Sequence, residues 1–139
     1  MEIEEMLGSI NYLAVLVSAL SSFVIGLLWY SFIFRKKWMK LNGFTEDMAS
    51  EETMTMPVIL ITNYLATVLA AFALALFLGD NGDMRFGIFA GFMIAVFWIA
   101  TNRLNDVLYE RKPFGLFLIN SGYNLVIYII MGAILGAWH

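Results

Sequence analysis

PVILITNYLATVLAAFALALFL, residues 57–78, runs for twenty-two positions without an acidic or basic side chain. A helix of that length spans roughly 33 Å at about 1.5 Å per residue, close to the ~30 Å hydrocarbon core of a bilayer. Three more uncharged apolar runs flank it: Ile10 to Phe34, Phe86 to Asn102, and Phe114 to Trp138. Short charged segments separate them. The expected fold class is therefore all-α integral membrane, an antiparallel four-transmembrane-helix bundle with a short interfacial cytoplasmic loop. One domain covers 1–139, with spans at about 10–34, 57–78, 86–105 and 114–138.

Composition agrees. The chain is 61% hydrophobic and 14% charged, too few charges to solubilise a globule of this size. The absence of cysteine removes disulfides, thiolate catalysis and cysteine-ligated metals, and the single histidine, His139, leaves no multi-histidine metal site. No nucleophile–base pair, phosphate loop or extended basic surface stands out. The expectation is a non-enzyme with no catalytic residues, metal, cofactor or nucleic-acid partner.

The basic residues set the expected orientation. Arg35, Lys36, Lys37 and Lys40 fall in the first loop, and Arg103, Arg111 and Lys112 between the third and fourth runs. Arg85 alone lies on the other side. Seven against one places both termini outside and the first and third loops in the cytoplasm of a multi-pass cell (inner) membrane protein. Glu2, Glu4 and Glu5 open the chain where a secretory signal needs positive charge, so the first span is expected to be retained.

In the first loop, Trp38 and Met39 read as interfacial anchors, Asn42-Gly43 as a turn, and Thr45 as a possible cap for a short helix through Glu46, Asp47, Glu51 and Glu52. Gly79-Asp80-Asn81-Gly82-Asp83 reads as a tight turn, too short to supply the oxygen ligands of a calcium site.

Two patterns mark the helices. Small residues recur at a four-residue stride: Ala14, Ser18, Ser22 and Gly26 on the first, Thr67, Ala71, Ala75 and Gly79 on the second. Gly87 and Gly91 begin the third, and Gly132 and Gly136 end the fourth. Small faces let helix backbones approach where lipid supplies little hydrophobic force, so these glycines are expected to meet across the third and fourth helices. A homodimer seam is the competing use.

The second pattern is a polar layer at the other depth. Trp29, Tyr30 and Ser31 come from the first helix, and Thr62, Asn63 and Tyr64 from the second. The third supplies Thr101 and Asn102, continuing to Asn105 and Asp106, and the fourth Asn120, Ser121, Tyr123 and Asn124. Tyr30, Asn63, Asn102, Asn120, Tyr123 and Asn124 are expected to face one another, with Glu110 at the rim. The layer reads either as interhelical hydrogen bonds, at about 0.6 kcal/mol each, or as the lining of a cytoplasm-facing polar cavity. Asn102, Asp106 and Glu110 share a helix face, with Arg103 spaced to pair with Asp106.

Trp29-Tyr30-Ser31, Trp38-Met39, Gly43 with Thr45-Glu46, Glu110, Asn120-Ser121-Gly122-Tyr123 and Met131-Gly132-Ala133-Ile134-Leu135-Gly136 resemble the small bacterial membrane-protein family called domain of unknown function 1761. Phe32 and Arg35 stand where that family commonly has proline and glycine. The resemblance implies a four-helix membrane domain, and no activity can be carried over from it. The functional expectation is a non-catalytic accessory or interaction subunit, or a homo-oligomeric scaffold, with membrane lipids and a membrane-protein or self partner. A small transporter or channel is the alternative.

Overall fold

The computed structural model describes residues 2–43, 56–80 and 82–138. All regular structure among the described residues is helical: α1 (Glu2–Ser9), α2 (Tyr12–Leu28), α3 (Arg35–Asn42), α4 (Met56–Leu78), α5 (Met84–Met93), α6 (Thr101–Leu108) and α7 (Phe114–Ala137). Two π-helical segments, Trp29–Ile33 and Ile94–Ala100, continue α2 and join α5 to α6. Among the described residues, four helices are long and apolar enough to cross a membrane: Tyr12–Ile33, Pro57–Leu78, Met84–Leu108 and Phe114–Ala137.

Side-chain caps set two of these boundaries. Asn11 accepts from the Ala14 amide at 3.1 Å and starts α2. Asp83 accepts from the Phe86 amide at 2.8 Å, so the third long helix begins at Met84, ahead of the uncharged run. That helix also continues past residue 105, because a turn of polar helix extends the apolar stretch.

Two helices escape the hydropathy reading. Residues 2–9 form α1, with no buried residue, and residues 35–42 form α3 rather than loose connector. Gly43 ends α3 with φ +72°, a left-handed cap that asparagine followed by glycine only hints at. The expected helix starting at Thr45 lies outside the described residues.

The core joins α2, α4 and α7. Ala14, Val15 and Ala19 meet Ala71, Leu74, Leu78, Met131 and Leu135, and Ser18 and Ser22 of α2 are buried as well. The small-residue stride on α2 is thus an interior face, and the Ser18 hydroxyl is satisfied by donating to the Ala14 carbonyl of its own helix. Outward faces remain apolar, as with Phe77 at 70% exposure and Leu69 at 69%. Lipid would solvate them.

The closest packing joins α5 to α7. A β-carbon on Gly87 would overlap the Gly132 carbonyl, one on Gly91 the Tyr128 carbonyl, and one on Gly136 the Asp83 carbonyl. The pairing is therefore 83 with 136, 87 with 132 and 91 with 128, numbers falling on one helix as they rise on the other. Gly87 and Gly132 meet as glycines. Gly91 and Gly136 each lie instead against the backbone of a larger residue, because the register steps by four from the Gly87–Gly132 contact.

Between α6 and α7, Arg111 adopts φ +57° and the Lys112 amide donates to the Asp106 carbonyl at 3.1 Å. This is a left-handed helix stop, a role usually given to glycine.

Candidate functional site

The packing near α3 is built differently. The Phe34 amide donates to the Trp29 carbonyl at 2.8 Å, the five-residue reach of a π turn. That widened turn presents both Trp29 and Tyr30 to α7. The Trp29 indole donates to the Ile119 carbonyl at 3.0 Å, and the Tyr30 hydroxyl donates to Asn120 Oδ1 at 2.7 Å. The Tyr30 ring meets that of Tyr123 edge-on at 5.2 Å and that of Trp38 at 5.6 Å. Tyr123 in turn donates to the Ser22 carbonyl at 3.3 Å. Its hydroxyl fits because Gly26 lacks a side chain: a β-carbon there would stand 3.1 Å away.

Beside this aromatic cluster is a cavity of about 700 Å³. Tyr30, Ser31, Asn63, Asp106, Asn120 and Tyr123, all anticipated from the sequence, contribute to its wall. Phe23, Leu27, Ile59, Leu60, Leu116 and Phe117 supply apolar surface, and Trp38, Asn42 and Lys112 come from α3 and the turn before α7. Arg103 also lines it, with a buried Nε that has no hydrogen-bond partner.

Thr62, Tyr64, Thr101, Asn105 and Ser121 of the anticipated layer fall outside the lining, and so do Trp29, Asn102, Asn124 and Glu110. Asn102 does not face the axis: its amide donates to the Trp98 carbonyl of its own helix at 2.7 Å, and it is exposed. Thr101 likewise donates to Phe97 and Trp98. Trp29 is spent on Ile119, behind the wall. Asn124 is 6% exposed, and its Nδ2 has no partner. Continuing the α5–α7 register by four puts it opposite Ala95, inside the second π segment. Glu110 lies beyond the end of α6 and pairs with Lys112 at 3.6 Å.

The helix face shared by Asn102 and Asp106 does not extend to Glu110, because α6 ends at Leu108. Nor does Arg103 pair with Asp106 or with another carboxylate among the described residues; both side chains point into the cavity. Arg103 was legible only as a salt-bridge partner. Its spacing with Asp106 and Val107, three and four residues on, is the signal that it shares their stripe.

A smaller cavity, about 380 Å³, lies at the opposite end between α1 and the ends of α4 and α7, with Glu2, Glu5 and Asp80 in its wall. Glu2, Glu5, Met6 and Ser9 of α1, a helix with no buried residue, form one side of it.

A family model described as "Protein of unknown function (DUF1761)" matches residues 13–136. No curated protein and no solved structure matches the chain.

Proposed function

The chain belongs to the DUF1761 family, whose description assigns no activity, and from that premise we propose a non-catalytic, multi-pass protein of the cell membrane that holds an amphipathic ligand. The observation that carries this reading is the cavity of about 700 Å³ among the long apolar helices. Its size falls in the range of small-molecule sites, and its wall mixes aromatic and aliphatic surface with a few polar groups, as such sites do.

In this reading the four long helices form an antiparallel bundle. The seven-to-one bias of lysine and arginine sets both termini outside, so the cavity faces the cytoplasm. Cysteines placed at the exposed Lys37 and Asp80 of this cysteine-free chain test the orientation. Labelling of both from outside the cell would refute it.

The ligand reading is tested by gentle purification followed by native mass spectrometry, in which a bound amphiphile at fixed stoichiometry is expected. Protein that emerges empty from every mild detergent and lipid nanodisc would count against it.

A second reading, an accessory subunit or homo-oligomer, is favoured by α4, where only 11% of the spanning window is buried within the chain. The same spectra distinguish the two: a stoichiometric protein partner or a second copy in place of a bound amphiphile supports the accessory reading.

A further inference from the structure

Arg103 is the feature that the fold alone leaves unexplained. It sits five residues inside the end of the Met84–Leu108 helix, about 7 Å along the axis, near the depth where hydrocarbon gives way to headgroups. A guanidinium at that depth is costly unless it pairs or reaches water. Here Nε is buried and without a partner, in the wall of the large cavity.

The surroundings define what would complete it. Two cations, Arg103 and Lys112, and one carboxylate, Asp106, line the cavity. Lys112 is already engaged by Glu110 at 3.6 Å, so Arg103 is the cation with unused donors. Planar guanidinium donors suit phosphate and carboxylate oxygens, which accept two parallel hydrogen bonds. The Tyr30 hydroxyl and the Asn120 carbonyl oxygen already bond each other, which leaves the Asn120 amide hydrogens as further donors. Deeper along α2, Phe23 and Leu27 supply apolar surface, and Leu60 adds more from α4. Phe23 lies ten residues from Ile33, about 15 Å along the helix. The cavity thus offers one cationic group near headgroup depth and an apolar wall extending toward the membrane centre.

We propose that this cavity takes a membrane amphiphile with an anionic head, a phosphate or a carboxylate, bound at Arg103 with its apolar part against Phe23, Leu27 and Leu60. The proposal rests on the reading of the cavity as a ligand site and adds the class of ligand. The same head chemistry belongs to free inorganic phosphate, so the probes must separate head from tail.

The test uses the full chain in phosphatidylcholine nanodiscs, titrated with dodecyl phosphate, dodecanol and inorganic phosphate. The readouts are the rise in unfolding temperature and the emission of Trp38, which lines the cavity. Dodecyl phosphate is expected to bind about tenfold tighter than dodecanol, the worth of one charge-assisted pair. Inorganic phosphate should produce no shift. Arg103→Gln should remove the preference while dodecanol binding persists, and Arg103→Lys should keep part of it. Because Nε has no partner among the described residues, neither variant should lower the unfolding temperature before ligand is added. Leu60→Phe, which narrows the cavity, should weaken both amphiphiles.

Equal affinity for the phosphate and the alcohol, or an unchanged preference in Arg103→Gln, would overturn the assignment of the head to Arg103 and leave the cavity reading standing. Inorganic phosphate binding as tightly as dodecyl phosphate would overturn the amphiphile. If neither amphiphile binds, the cavity reading fails as well.

Discussion

The contact between the third long helix and α7 has two ends that share a register and differ in everything else. At one end, residues 83–91 meet 128–136 so closely that no β-carbon fits at Gly87, Gly91, Gly132 or Gly136. At the other, the Ile94–Ala100 π segment and α6 face the start of α7, where Asn124 is buried with an unpartnered amide and Arg103 lines a cavity of about 700 Å³. Backbone approach secures the first end. The second is spread open by bulky aromatic residues and by helices whose regular bonding is interrupted twice. A membrane helix pair needs tight packing somewhere, since lipid competes for every apolar side chain. Concentrating that packing at one end leaves the other free to stay hollow.

The largest expected effect would break the tight end. Gly132→Leu forces α5 and α7 apart against rigid backbone and should cost about 3 kcal/mol or more of stability, read as unfolding in detergent. A variant of unchanged stability would mean that the glycine contact is dispensable.

Changes at the open end should be smaller and differ in sign. Arg111→Gly relieves a left-handed backbone at the turn between α6 and α7 and should stabilise by about 1 kcal/mol. Asn124→Leu probes the boundary between the two ends. Removing a buried amide that has no partner should stabilise by roughly 1 kcal/mol; a loss of stability would reveal that Asn124 is bonded in the membrane. Tyr30→Phe deletes the bond to Asn120 and should cost only about 0.6 kcal/mol, the average for a polar contact between membrane helices. Leu60→Phe adds volume to a wall that has room for it. It should change stability by about 0.5 kcal/mol or less, in contrast to any addition at Gly132.

These outcomes bear on how far the sequence can be read. The four long helices were legible because an uncharged run of about 20 residues has few alternatives in lipid. The two short helices were not: α1 and α3 carry charge and have no long apolar run, so hydropathy passes over them. The glycine seam was legible in its residues and inexact in its register. Spacing of four shows which faces are small, but several offsets satisfy it equally. The cavity was half legible, with Tyr30, Ser31, Asn63, Asp106, Asn120 and Tyr123 gathered as a layer and Arg103, Trp38 and Asn42 missed.

Asn102 shows why depth alone misleads. It lies at the depth of the polar layer, yet its amide donates to the Trp98 carbonyl, and the side chain folds back on its own helix. Glu110 lies beyond the end of α6, so the helical face that carries Asp106 does not reach it. By itself, the sequence determined that this chain has four helices able to span a bilayer, and which of their faces are small or polar, because hydropathy and spacing are local properties of a single helix. Only the tertiary structure decided that Arg103 lines a cavity without a partner and that Gly87 meets Gly132. Those are matters of rotation, register and helix irregularity, and they arise when one helix packs against another.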